Sequence, residues 1–356
     1  MNYLIRVNLD IDPDKTKNNP RFKEVVEVID GFVNQSDKVI LLAHRGRPKG
    51  VQKKLSLEPF TDKIKNATGQ NIKFFGGFEF KEIRREIEKG SERVYLLENL
   101  RFLNGEVKNS KGLAKKLASL GDEYINDDFG TSHRAHASIS AITKYLPSQI
   151  GPHFKEEISF LKSFTEKPLR PLILVVGGAK SEDKLAVVES LLDNVDKVIL
   201  GGGPANTLLK ASGVDVGGSI YDPKLAKNMG WLINHPKVSL PIDWKENRGR
   251  ILDVGPDTIK MHTKILEEAN SVIWSGPIGF FEKEKFSAGT ENIIDSLTKI
   301  NPPISLVGGG DTVASLNLLS SKKLPEELHI STGGSAMLTY LAGKELPALT
   351  ALDQNV

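Results

Sequence analysis

What most restricts the fold of this chain is a short apolar run that keeps returning, each time broken off by a turn rich in glycine or basic residues. Val39-Ile40-Leu41-Leu42 runs through Ala43 into His44-Arg45-Gly46-Arg47-Pro48, and Val94-Tyr95-Leu96-Leu97 runs into Glu98-Asn99-Leu100-Arg101-Phe102. The second half repeats the device in Leu172-Ile173-Leu174-Val175-Val176, Val198-Ile199-Leu200, Ser271-Val272-Ile273-Trp274, Ile304-Ser305-Leu306-Val307 and His329-Ile330-Ser331. Four of these five run close into glycines, at Gly177-Gly178, Gly201-Gly202-Gly203, Gly308-Gly309-Gly310 and Gly333-Gly334. Short, bounded apolar runs of this kind read as strands covered on both faces. Between them lie segments with helical spacing, such as 21–32 with Phe22, Val25, Val26 and Ile29. Strands alternating with helices predict an α/β chain with mostly parallel sheets and crossover helices. Residues 5–11 alternate and read as a further strand.

A length of 356 residues is enough for two domains at about 100–200 residues each. The character changes between 150 and 171, where Gly151-Pro152 opens an amphipathic stretch, 153–164, closed by Pro168 and Pro171. That stretch is expected to be a linker helix, with domains at 1–152 and 171–342 on either side of 153–170.

Open α/β sheets bind ligands at the carboxyl ends of their strands, so the turns are where chemistry is expected. The segment 124–138, Tyr-Ile-Asn-Asp-Asp-Phe-Gly-Thr-Ser-His-Arg-Ala-His-Ala-Ser, leaves a short apolar run and crowds His133, Arg134 and His136 into one loop. A guanidinium repels a metal ion but forks onto an oxyanion, so phosphate or carboxylate suits this loop better than a metal. Charge points the same way. Residues 1–150 hold 26 Lys and Arg against 20 Asp and Glu, leaving 22 against 25 for the remainder. An anionic ligand on the first half is one reading, and solvated helix faces are the other.

Several classes are excluded. There is no cysteine, hence no disulfide and no thiolate nucleophile or ligand. No apolar run approaches the ~18 residues of a membrane span, and no long basic tract with interleaved aromatics argues for nucleic acid. The opening Met1-Asn2-Tyr3-Leu4-Ile5-Arg6 is not the start of a signal peptide, so a cytoplasmic location is expected.

Known phosphate motifs are absent, since no G-x-x-x-x-G-K-[ST] loop and no G-x-G-x-x-G fingerprint occurs, and the nucleophile elbow G-x-S-x-G is absent too. What remains is Gly177-Gly178-Ala179-Lys180-Ser181-Glu182-Asp183-Lys184, whose two lysines, four apart at a helix start, can reach one phosphate chain. Taken without the glycines, such a pair is more often a solvated surface. Gly308-Gly309-Gly310-Asp311-Thr312 offers backbone N–H groups, a helix cap and a carboxylate for Mg²⁺, or else an ordinary capping Asp. Glu282 could meet ribose hydroxyls or merely solvate a turn. His153, His235, His262 and His329 are isolated and receive no role.

In order along the chain, these pieces resemble the phosphoglycerate kinase family. The resemblance is nearly full length and rests on Arg6-Val7-x-Leu9, His44-x-Gly46-Arg47-Pro48, Leu96-Leu97-Glu98-Asn99-Leu100-Arg101-Phe102, Asn126-Asp127-x-Phe129-Gly130-Thr131 with His133-Arg134-Ala135-His136, and Gly177-Gly178-Ala179-Lys180 with Asp183-Lys184. It continues through Leu240-Pro241-x-Asp243, Asp253-x-Gly255-Pro256, Trp274-x-Gly276-Pro277-x-Gly279-x-Phe281-Glu282, Gly309-Gly310-Asp311-Thr312 and Ser331-Thr332-Gly333-Gly334. It implies two doubly wound, Rossmann-like domains joined by a hinge helix, with the tail 343–356 returning to the first domain and closure joining the substrates. The implied reaction is reversible phosphoryl transfer between 1,3-bisphosphoglycerate and ADP, giving 3-phosphoglycerate and ATP, by a monomer using Mg²⁺. On the first domain it implies a phosphoglycerate site of Asn8, Asp10, Arg21, His44, Arg47, Arg101, His133 and Arg134. On the second it implies a nucleotide site of Gly178, Ala179, Lys180, Lys184, Gly202, Gly255, Glu282, Gly309, Gly310, Asp311 and Thr312, with Asp311 toward the metal. Arg21 and Lys180 are the residues expected to stabilise charge on the moving phosphoryl. His136 is expected to be a structural hydrogen-bonder.

The chain also departs from the family pattern. Asn8 and Asp10 exchange the acid and the amide of Arg-Val-Asp-Phe-Asn. Arg45 stands for a leucine, Asp128 for a small residue, Ser275 for an asparagine and Ser335 for a third glycine. The Asn8/Asp10 exchange and Ser275 motivate one alternative, a non-catalytic relative that binds phosphoglycerate or nucleotide; Arg45 and Asp128 motivate another, a kinase for another acyl phosphate.

Overall fold

Each half of the chain builds a six-stranded sheet in which every neighbouring pair is parallel. The computed structural model describes residues 1–33, 37–319 and 328–353. Two compact units emerge, one of Met1–Phe160 with the residues from Glu345 onward, the other of Leu161–Lys344. Helix Pro152–Thr165 carries the chain from the first into the second.

The first sheet contains β1 (Asn2–Arg6), β2 (Lys38–Leu42), β3 (Ile72–Phe75), β4 (Val94–Leu97), β5 (Glu123–Asn126) and β6 (Ser148–Ile150), in the order β3-β4-β2-β1-β5-β6. Ile5 of β1 lies opposite Leu41 on one side and Ile125 on the other. Side chains alternate across such a sheet. Leu4, Ile40, Leu42, Tyr95 and Tyr124 therefore enter one core, and Ile5, Val39, Leu41, Leu96 and Ile125 the other. Covering both faces is why these strands read as unbroken apolar runs; each fully buried Leu or Ile contributes about 1.5–3 kcal/mol. The helix Pro20–Phe32, which covers part of the second core, starts on Asn19, whose side chain accepts from the Arg21 N–H, with Pro20 in the first turn.

The second sheet contains β7 (Leu172–Val176), β8 (Lys197–Leu200), β9 (Val238–Ser239), β12 (Ser271–Ser275), β13 (Ile304–Gly308) and β14 (Leu328–Ser331), in the order β14-β13-β12-β7-β8-β9. Counted within the unit, that is 3-2-1-4-5-6 read from the other edge, the dinucleotide-fold order, with the topological switch between β7 and β12. An antiparallel hairpin, β10 (Trp244–Asn247) and β11 (Arg250–Val254), is inserted before β12.

One expected strand is shorter than its alternation implies. Residues 5–11 are not all strand: β1 ends at Arg6, and Val7 still donates to Leu42 O at 2.9 Å before the chain leaves the sheet. Val7 and Leu9 stay buried after that point. The alternation of 7–11 is that of a loop folded over a core edge, which brings Asn8 and Asp10 to the carboxyl ends of the strands. At the other end of the chain, helix Pro347–Asp353 belongs to the first unit: Ala348 N–H donates to Ser132 O at 3.1 Å and Thr143 Oγ1 to Ala351 O at 3.1 Å.

Candidate active site

In the first unit, the loops leaving β1, β2, β4 and β5 converge on a buried guanidinium. Arg6 is fully buried and pairs with the equally buried Asp128 at 2.8 Å. Its Nε donates to Ser138 Oγ at 3.1 Å, and its Nη2 lies 2.6 Å from His44 Nδ1. Ser138 in turn donates its hydroxyl to Glu106 at 2.6 Å. A buried charge is tolerated only when paired and fully hydrogen-bonded, and here Arg6 lies between one carboxylate and a hydroxyl relayed to another. Burial alone would raise the Asp128 carboxyl; Arg6 and then His44 outweigh it and hold it below the ordinary range. Burial raises Glu106.

Above this floor stand the residues the resemblance implicates. Asn8 donates its amide to Asp128 Oδ1 at 3.1 Å and accepts from the Asp10 N–H at 3.1 Å. Asp10, two-fifths exposed, accepts from the Gly46 N–H at 2.7 Å and lies 3.6 Å from His44 Nε2. Burial opposes its charge, but His44 and Gly46 more than compensate and keep the Asp10 carboxyl well below its usual range. Burial pushes His44 down to about 4, so its ring is neutral at pH 7. Arg21 donates to Asp10 O at 3.1 Å, and Arg47 is exposed.

Arg101 donates to Gly46 O at 2.7 Å, while its Nε is buried with no protein partner. Burial, then the neighbouring Arg6, brings Arg101 down to about 10, still cationic at neutral pH. Arg134 Nε donates to His133 Nε2 at 3.0 Å; His133 Nδ1 is buried without a partner, and burial with Arg134 lowers that ring to about 4. Guanidinium donors over neutral imidazoles, with buried N atoms left unsatisfied, can receive a phosphate or carboxylate. His136 is buried with its Nδ1 3.8 Å from Glu106, beyond hydrogen-bond distance, so that nitrogen does not make the structural hydrogen bond expected of it.

Arg45 and Asp128, two of the departures, are both taken up internally. Arg45 donates to Ile11 O at 3.1 Å and Lys54 O at 2.9 Å, tying two loops together. Asp128 has no exposed surface.

In the second unit the glycine turns after β7, β8 and β12 line one side of a cavity of about 350 Å³ at the switch point. Gly178, Ala179, Gly202, Glu282 and Asp311 line it; Lys180, Lys184, Gly255, Gly309, Gly310 and Thr312 do not. Gly202 shows why the turn needs glycine: its φ is +54°, and a Cβ there would lie 2.6 Å from Gly178 O. Lys180 is the exposed cap residue of helix Ser181–Leu191. Lys184, half-buried one turn on, donates to Ser275 Oγ at the end of β12, and burial lowers it to about 8. The departure at 275 thus supplies an acceptor that holds a lysine.

Thr312 is buried, donates its hydroxyl to Gly308 O at 2.9 Å and accepts from the Gly276 N–H at 2.7 Å. It braces two turns against each other instead of presenting its hydroxyl to a ligand. Gly255 faces Asp243, whose carboxylate would lie 2.3 Å from an added Cβ. Asp311 is exposed at the cavity. Among the described residues no group of three or more His, Cys, Asp or Glu could hold a metal ion. One carboxylate beside glycine turns fits a Mg²⁺ carried mainly by a nucleotide's own phosphates.

The apolar walls of the cavity, including Ile220, Trp244, Ile251 and Phe280, were not anticipated from sequence, because a flat apolar wall has no motif. Asp253, singled out in sequence only as part of a motif and given no role, also lies at the cavity, accepts from the Gly289 N–H at 3.1 Å and is pushed up by burial to about 6.

Residues 2–344 match the family model described as phosphoglycerate kinase. The phosphoglycerate kinase of Dictyoglomus turgidum is 36% identical, over 99% of this chain and 95% of its own; the cytosolic phosphoglycerate kinase of Nicotiana tabacum is 38% identical, over 98% and 94%. Among solved structures, the Pyrococcus horikoshii phosphoglycerate kinase superposes with a TM-score of 0.83 at 29% identity, covering 100% of this chain and 97% of its own. The Coxiella burnetii phosphoglycerate kinase gives 0.81 at 32%, covering 99% and 96%. A match of this extent in both sequence and fold means that the chain belongs to the phosphoglycerate kinase family.

Proposed function

We propose that the chain is an active phosphoglycerate kinase, transferring a phosphoryl group reversibly between 1,3-bisphosphoglycerate and ADP. The observation that carries this reading is the pairing, within one family member, of a buried Arg6–Asp128 floor under Asn8 and Asp10, with the guanidiniums of Arg21 and Arg101 beside it, and a glycine-lined cavity that presents Asp311. Arg21, Arg47, Arg101 and Arg134 would take the anionic groups of the phosphoglycerate, with His44 and His133 as neutral hydrogen-bonders. Asn8 and Asp10 would meet its hydroxyl. The nucleotide would lay its phosphates along Gly178, Ala179 and Gly202 and its ribose toward Glu282, with Lys180 and Lys184 reaching the phosphate chain.

Asp311 would hold Mg²⁺, which would supply positive charge to neutralise the phosphates. Phosphoryl transfer needs little covalent help from a protein, so the work falls to positioning and electrostatics. Arg21 and Lys180 would stabilise charge on the phosphoryl in flight. A cytoplasmic monomer is the corresponding expectation for location and assembly. Nothing favours the non-catalytic or altered-substrate alternatives, since the residues that motivated them are used inside the first unit or, in the case of Ser275, hold Lys184.

A coupled assay with 3-phosphoglycerate and MgATP tests the reading. Turnover is expected, with Lys180→Ala slower by about 10²-fold or more. Folded wild-type protein no faster than Lys180→Ala would overturn it.

A further inference from the structure

Asp128 and Asn8 form a pair whose chemistry is legible from the contacts. The Asn8 side chain must do two opposite things at once: donate, to Asp128 Oδ1 at 3.1 Å, and accept, from the Asp10 N–H at 3.1 Å. An amide does both, and an ionised carboxylate only accepts. Asp128 is held by more than Asn8. Its other oxygen pairs with Arg6 at 2.8 Å and accepts from Thr131 Oγ1 at 2.5 Å, and Oδ1 also accepts from the Thr131 N–H at 3.1 Å. It therefore fixes the guanidinium that contacts His44 and caps the turn Phe129–Thr131 that leads into His133 and Arg134. A carboxylate at position 8 would put a second negative charge about 3 Å from a buried first one, where both cannot ionise together.

We propose that Asp128 is a positioning residue of the phosphoglycerate site, and that its buried charge dictates an amide at position 8 and leaves Asp10 as the carboxylate that faces the ligand. The inference rests on the reading of the first unit as the phosphoglycerate site, and it treats the departures at 8, 10 and 128 as one coupled change.

The test compares wild type, Asn8→Asp, Asp128→Asn and the double variant, in which carboxylate and amide trade places across the same contact. Each single variant is expected to raise KM for 3-phosphoglycerate by about tenfold or more, and the double variant to recover at least half of the summed logarithmic loss, as contacting residues do when they couple. KM for MgATP is expected to stay put in all four. A double variant as poor as the product of the singles, or shifts of equal size in both KM values, would overturn the proposal.

If Asp128→Asn does not fold, Asn8→Asp alone decides. Its two carboxylates must share a proton amid Arg6, His44, Arg21, Arg101, His133 and Tyr124, the charged or titratable groups acting on Asp128. Its KM defect relative to wild type should then shrink as pH falls from 8 to 6; a defect independent of pH overturns the coupling. If wild type itself fails to turn over, the functional reading has failed instead. The coupling is then read from denaturant unfolding of the same proteins, where additivity overturns it.

Discussion

Replacing His153 by glutamine should remove a stabilisation that exists only below about pH 9. His153 is the second residue of helix Pro152–Thr165, where the helix dipole disfavours a cation. The surrounding carboxylates reverse that preference. Asp127 Oδ1 accepts from the His153 and Phe154 N–H groups at 2.9 and 3.1 Å, capping the helix, while Oδ2 lies 2.6 Å from His153 Nδ1. Glu27, from helix Pro20–Phe32, reaches Nε2 at 3.1 Å, and Glu24 adds its field. Burial opposes the charge, yet the hydrogen bond and charge of Asp127 prevail and raise the ring from 6.5 to about 9.

A folded-state value above the unfolded one means the stabilisation is complete below 6.5 and lost as pH rises through 9. The span corresponds to roughly 3 kcal/mol. The ring is only 17% exposed, so solvent screens the Asp127 arm little; the Glu27 arm, with its carboxylate half exposed, contributes little. His153→Gln should therefore lose about 2–3 kcal/mol at pH 6 and almost nothing at pH 10. Tryptophan fluorescence cannot report it, because Trp231, Trp244 and Trp274 all lie in the second unit. Denaturant unfolding followed by amide hydrogen exchange in 1–160 can, alongside an NMR titration of the imidazole protons. An equal loss at pH 6 and pH 10, or a His153 resonance that titrates near 6.5, would refute the reasoning.

Three further outcomes are expected. Gly202→Ala forces a Cβ against Gly178 O at positive φ, a strain of about 1–3 kcal/mol, and should raise the nucleotide KM about tenfold with little change for phosphoglycerate; an unchanged nucleotide KM would contradict it. Lys184 is cationic below about 8, so nucleotide KM should rise several-fold between pH 7 and 9, and Lys184→Arg should flatten that slope. Thr312→Val leaves the Gly276 N–H without its acceptor and should cost about 1–3 kcal/mol of stability, read as a lower unfolding midpoint.

Much of the architecture was legible because burial on both faces leaves a plain mark. The runs 39–42, 94–97 and 172–176 are apolar without interruption, and each is an inner strand. Two edge strands leave no such mark. In β6 the stretch Ser148-Gln149-Ile150 is mostly polar, and β9 is two residues long. The hairpin β10–β11 turns on Arg248-Gly249, both at positive φ, a signal overshadowed by the charges around it.

The candidate site divides the same way. Residues placed by turns, such as His44, Arg101, Gly202 and Asp311, could be named from their position after a strand. Arg6, Glu106 and Ser138 could not, because their importance lies in being buried against one another from positions up to 132 residues apart. For the same reason Asp128 looked anomalous in sequence and is ordinary beside Arg6.

The terminal helix Pro347–Asp353 gives the chain an unusual order of assembly. Its Ala348 is fully buried and its Leu352 nearly so, in a unit whose other described residues end near Phe160. During synthesis the amino-terminal sheet leaves the ribosome first but lacks this packing partner until residues 347–353 emerge. The second unit, contiguous from Leu161 to Lys344, is complete before it. The first unit can therefore complete its packing only after the second has been synthesised, against the usual maturation from the amino terminus onward, and a chain ending before Leu346 lacks the partners of Ser132 and Thr143.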